Sequence, residues 1–208
     1  YAHVPNRNQY EDIAVQFVTS GIDVAIGGGT RYFAKRKDGR NLIPDLEAQG
    51  YKVAYSLDEI KDMSAGRVVA LCADQNLPMA IQDRGDFLPD ATAKALEILT
   101  TNCAKEKTGF FMMIEGSQID YAAHACNAEQ IYAEMKDFDK AVGVAFDYAD
   151  KHEGTLVVVC ADHETGGLSL PSRKTDFTLS ESGVEYRYGT TSHSGSMIAA
   201  LFYGTGAK

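Results

Sequence analysis

Six residues of this chain have the types and spacing of a metal centre. Glu115, Asp120 and His124 stand in the run EGSQIDYAAH, Asp162 and His163 in DHETGG, and His193 in HSG. Carboxylate oxygen and imidazole nitrogen are the donors zinc accepts where a catalytic position must stay open. Asp120 and His124 are four residues apart. A helix beginning near Asp120 puts both on one face, where they can share one ion. Glu115 precedes Asp120 by five residues and more naturally reaches a neighbouring ion. Asp162 and His163 are adjacent, so a regular strand would aim them at opposite faces. Both reach one metal only if the strand has ended, and the apolar run LVVVC does stop at Cys160.

Each cluster alone has a bland reading. An Asp–His pair after a strand serves often as a cap beside a surface histidine, and a lone Glu-Gly carries no signal. Three clusters beside three apolar strands favour one shared site. The other two histidines, His3 and His152, have weaker claims. His152 follows a helix, where a cation suits the dipole. His3 lies close to Arg7, a candidate anion ligand.

The elements that must position these residues follow from periodicity. Helices are expected over 8–19, 41–49, 57–63, 91–105 and 128–151. The last carries Ile131, Met135, Phe138, Val142, Ala145 and Ala149 at three- and four-residue steps. Apolar strands are expected over 22–26, 51–55, 68–72, 110–114, 156–160 and 197–203, and 73–90 reads as a long loop. The stretch 171–190 is polar and irregular, with a hairpin through 177–179 and 184–188. Strands alternating with helices imply an α/β protein whose largely parallel sheet is covered on both faces. Sites in such sheets gather at the C-terminal ends of strands, where the first two clusters fall, and the third precedes the strand over 197–203.

Composition narrows the function classes. Hydrophobic residues make up 45% of the 208 residues and charged residues 24%, ordinary for a globular domain. The net charge of −9, with no basic stripe, argues against nucleic acid. The basic run 31–40 reads as a solvated loop. No apolar run is long enough to span a membrane, and no signal peptide is visible. The cysteines Cys72, Cys103, Cys126 and Cys160 show no CxxC spacing, which makes a cysteine zinc site unexpected. Cys72 and Cys160 end apolar runs and are expected as buried thiols.

The set EGSQID-x3-H, then LVVVCADHETGG, then HSG resembles the metal-ligand set of alkaline phosphatases in order and spacing. The start AHVPNR, the strand and glycine turn IDVAIGGG, and the helix containing DFDKA are similar to that family too. The resemblance implies an alkaline-phosphatase-like three-layer α/β sandwich with a largely parallel central sheet, incomplete at its N-terminal side. It implies hydrolysis of phosphate monoesters with two Zn2+ ions and one Mg2+ ion. Asp120, His124 and His193 match the ligands of the zinc that activates the attacking water and stabilises the leaving oxygen. Asp162 and His163 match ligands of the second zinc, which activates a serine hydroxyl, and Glu115 matches a magnesium ligand. Arg7 matches the guanidinium that grips two phosphate oxygens as a fork. Tyr121 stands where family members vary, as a modulator of the magnesium site or of a phosphate-bound water.

The departures are specific. The family's nucleophilic serine, in an Asp-Ser turn, and its bridging aspartate have no match, and no Asp-Ser pair occurs in the chain. The expectation is therefore that residues 1–208 form a single partial catalytic domain, inactive alone, with 171–190 an irregular insertion. The resemblance further implies phosphate monoesters and inorganic phosphate as ligands, a homodimer, and a periplasmic or secreted location. A phosphodiesterase, sulfatase or phosphoglycerate mutase shares Asp-His pairs after strands but fits DHETGG and HSG less well. A non-catalytic metal-binding module would share the ligands without the nucleophile.

Overall fold

The computed structural model describes residues 1–171 and 185–207. The chain divides into two compact units. One comprises Tyr1–Pro78 and Asp90–Met113, the other Met79–Pro89 and Ile114–Lys208. The expected hairpin strand 177–179 lies outside the described residues.

In the first unit a parallel sheet lies between two apolar layers. Strands β1 (Val24–Gly27), β2 (Tyr51–Ala54) and β3 (Arg67–Leu71) run in the order β1-β3-β2, with Val24 opposite Val68 and Tyr51 opposite Arg67. Side chains alternate across the sheet. Val53 and Val69 join Ala14, Phe17 and Val18 of α1 (Tyr10–Val18) and Leu46 of α3 (Ile43–Ala48). Val68 and Ala70 point the other way, to Ile60 and to Ile98 of α4 (Phe87–Glu106). A strand buried on both faces reads as an unbroken apolar run, which is why β3 was legible. The short helix α2 (Thr30–Ala34) follows the glycine turn after β1, and the Thr30 hydroxyl donates to the Leu71 carbonyl at 2.8 Å.

Several expectations shift in detail. The helix expected over 57–63 is only a 3-10 turn at Asp58–Ile60. The expected loop 73–90 holds another such turn at Ala80–Gln82, and α4 begins at Phe87. Pro89 is no obstacle there, because a first helical turn has no acceptor for its N–H groups. Residues 110–114 form no ladder, and Phe111 and Met113 are 91% and 77% exposed. A strand exists only by pairing, and no strand ladder includes this segment among the described residues. All four cysteines are free thiols, and Cys160, at a strand end, is exposed rather than buried.

The second unit holds α5 (Gln118–His124), α6 (Ala128–Lys151) and two antiparallel pairs. Strand β4 (Leu156–Cys160) pairs with β7 (Ala200–Gly204), and β5 (Glu164–Thr165) with β6 (His193–Ser194). The parallel arrangement is thus a property of the first unit. Asn127 caps α6, its side chain accepting from the Gln130 N–H at 3.1 Å. The buried stripe of α6 is Gln130, Glu134, Asp137, Ala141 and Ala145; its first four members sit one position before the expected Ile131, Met135, Phe138 and Val142, Ala145 is common to both, and Met135 is exposed.

Arg84 explains the rotation. Its Nη2 lies 2.7 Å from Glu134 Oε2 and 2.7 Å from Asp137 Oδ2, and all three side chains are buried. Glu134 also accepts from the Ala80 N–H at 2.7 Å. Burial alone would lower the Arg84 pKa, but the bonds to Glu134 and Asp137 more than reverse this and hold the guanidinium above its usual value. The clamp fixes the segment around Ala80–Gln82 onto α6. Breaking a buried ion pair by removing one partner is costly. Arg84→Ala should lower the unfolding free energy by about 3–5 kcal/mol, measured by denaturant unfolding.

Candidate metal centre

Helix α5 opens just after Glu115-Gly-Ser and presents two donors one turn apart. Asp120 is in its first turn and His124 in its last. Gly116 lets this turn sit close to α6, since a Cβ there would lie 2.9 Å from the Phe138 ring. Asp120 Oδ1 and His124 Nε2 are 3.4 Å apart.

His193 arrives from another part of the chain. The pairing of β5 with β6 sets it opposite Thr165. Gly166, at φ +92°, continues this ribbon beside α5, where a Cβ would come within 3.1 Å of the Ala123 carbonyl oxygen. His193 Nε2 then lies 3.8 Å from Asp120 Oδ1. Asp120, His124 and His193 each offer one ligand atom, all within 4.8 Å of one another.

The hydrogen bonds say which imidazole atoms are free. His124 Nδ1 lies 2.6 Å from the Thr191 carbonyl oxygen. A carbonyl only accepts, so Nδ1 carries the proton and Nε2 of the neutral ring has a lone pair. That lone pair faces a carboxylate oxygen that also has no proton to give. In the neutral ring the two electron-rich atoms can share a cation, whereas a protonated ring would donate from Nε2 to the same oxygen. The donor set therefore fits a metal ion, with an outer-shell partner already in place.

Asp162 and His163 lie in the bend between β4 and β5, past the end of the strand. His163 Nε2 is 3.3 Å from Asp162 Oδ2, so one ion can meet both. The His163 ring stacks on His193 with centroids 3.6 Å apart, which sets this pair beside the first cluster. Glu115 is exposed just before α5, outside the three-residue cluster. Tyr121 is 45% exposed on α5. Arg7 is exposed in the first unit. His152 caps the end of α6, stacked on Tyr148 and bonded to its carbonyl at 2.8 Å, a structural role.

Three further residues support the site. Thr191 supplies the carbonyl to His124, and Thr165 donates from Oγ1 to Asp120 Oδ1 at 2.7 Å. Glu164 accepts from the Gly167 N–H at 2.9 Å and from the Ser194 hydroxyl, tying β5 to β6. Their signal was proximity to DHETGG and HSG, and their roles arise only through strand pairing.

The alkaline phosphatase family profile matches residues 2–199. The chain belongs to the alkaline phosphatase family. It is 44% identical over 173 residues to alkaline phosphatase 3 of Bacillus subtilis, covering 79% of this chain and 36% of that protein. Alkaline phosphatase 4 of the same organism is 38% identical over 178 residues, at 81% and 37%. Among solved structures, alkaline phosphatase from the Antarctic bacterium TAB5 superposes with a TM-score of 0.86 at 33% identity, over 98% of this chain and 59% of that one. A mutant of that enzyme with magnesium bound in its M3 site gives 0.86 at 35% identity, over 98% and 60%. The chain thus spans little more than a third of these two curated relatives.

Metal occupancy should show as stability. A ligand present at 100 times its dissociation constant adds about 2.7 kcal/mol to the folded state. A divalent transition ion should therefore raise the thermal midpoint of the chain, and the rise should vanish in His124→Ala. Calorimetry with and without chelator measures both.

Proposed function

We propose that this chain carries the metal-binding part of a phosphate-monoester hydrolase that works with two Zn2+ ions and one Mg2+ ion. The observation that carries the reading is the convergence of Asp120, His124 and His193, from two distant segments, on one point within a family of phosphatases. These three residues would hold the first zinc. Asp162 and His163 would contribute to the second, and Glu115 to the magnesium. When bound, the ions would supply positive charge for an in-line displacement at phosphorus and lower the pKa of bound water to about 7.

The chain's own residues have separable tasks. Asp120 offers a carboxylate oxygen and His124 a lone pair on Nε2; Asp120 accepts from the Thr165 hydroxyl, and His124 donates from Nδ1 to the Thr191 carbonyl. Arg7 would bind the substrate, its planar fork matching two phosphate oxygens and offsetting their charge. The serine nucleophile of the family has no counterpart among these residues, since no Asp-Ser pair occurs. The chain by itself is accordingly expected to bind phosphate without turning over esters. Whole-protein features that family kinship suggests, a homodimer and export to the periplasm or beyond, belong to the same proposal. Among the described residues no helix is long and apolar enough to cross a membrane.

The test titrates inorganic phosphate into the zinc-loaded chain and into the chain stripped by chelator. Binding should require metal, and Arg7→Ala should weaken it about 10–100-fold, the worth of charge-assisted hydrogen bonds. A chromogenic phosphomonoester, a diester and a sulfate ester are offered in parallel. Metal-independent phosphate binding contradicts the reading. Ester turnover lost in His193→Ala would show that the chain is catalytic without the family's serine.

A further inference from the structure

Thr165 touches two residues that the proposed site assigns to different metals. Its Oγ1 lies 2.7 Å from Asp120 Oδ1 and 3.0 Å from His163 Nδ1. A hydroxyl has one proton to donate, and an ionised carboxylate can only accept. The proton therefore goes to Asp120. The same oxygen must then accept from His163, so Nδ1 of that ring carries a proton. In the neutral ring this leaves the lone pair on Nε2, the atom near Asp162 Oδ2 at 3.3 Å. The short contact to Asp120 fits a charge-assisted bond. The ladder to His193 fixes the Thr165 backbone, so its half-buried side chain has a defined origin.

We propose that Thr165 is a positioning residue shared by both zinc sites. One hydroxyl orients the Asp120 ligand of the first and selects the tautomer of the His163 ligand of the second. The inference rests on the ligand assignment proposed above. It has a consequence that separate sites would lack: one substitution outside both ligand sets weakens both. Partners of this kind typically change metal affinity 10–100-fold. Thr165→Val keeps shape and β-branching but removes both hydrogen bonds. Thr165→Ser keeps both.

The experiment is a zinc titration against a chromogenic chelator, on the 208-residue chain and on Thr165→Val, Thr165→Ser and His193→Ala. Circular dichroism without metal establishes that each variant is folded. In Thr165→Val the tighter and the weaker zinc equivalents should each lose about 10–100-fold in affinity, and Thr165→Ser should stay near the parent. Parent-like affinity in Thr165→Val, or a loss confined to one equivalent, overturns the proposal. If His193→Ala also binds zinc like the parent, the ligand assignment itself falls. Should Thr165→Val not fold, nitrogen chemical shifts of the metal-free parent decide: a proton on His163 Nδ1 is expected, and a ring protonated on Nε2 alone overturns the inference.

Discussion

One carboxylate oxygen organises the second unit. Oδ1 of Asp120 is met at 2.7 Å by the Thr165 hydroxyl, at 3.4 Å by His124 Nε2 and at 3.8 Å by His193 Nε2. Because the Thr191 carbonyl holds a His124 proton on Nδ1, the neutral ring presents a lone pair on Nε2 to the oxygen it faces. Electron-rich atoms held this close define a place for a cation, and the rest of the unit can be understood as what holds them there.

Three devices do so. Helix periodicity sets Asp120 above His124 without any long-range contact. The short ribbon of β5 and β6 places His193 by two residue pairs, and Glu164 reinforces it through Gly167 and Ser194. Helix α6 backs α5, and its buried acids need a counter-charge, which Arg84 supplies. A buried acid without a partner would cost several kcal/mol. The polar stripe of α6 is stable only because the segment around Ala80–Gln82 lies against it. A stretch read as a loop therefore has a defined structural task.

The parts of the site that depend on local geometry were legible in the sequence. The closeness of Asp120 and His124 follows from a four-residue step, and the approach of Asp162 and His163 to 3.3 Å required only that β4 end at Cys160, as it does. The both-face burial of β3 was legible for a similar reason, because nothing in its run is polar except Arg67 at the edge. What depends on partners was not. Thr165 and Thr191 look like any threonines until β5 pairs with β6. Glu134 and Asp137 look solvent-facing until Arg84 is seen beside them. Residues 110–114 have strand composition, but composition cannot supply a neighbouring strand.

X-ray absorption at the zinc edge, on the chain loaded with one equivalent of zinc, tests the central claim most directly. The account predicts a shell of nitrogen and oxygen at about 2.0–2.1 Å, with the outer scattering of two imidazoles and no sulfur. A sulfur shell at about 2.3 Å would place the ion on a cysteine, and a spectrum with no imidazole scattering would leave His124 and His193 outside the site. Either result would contradict a metal centre built on Asp120.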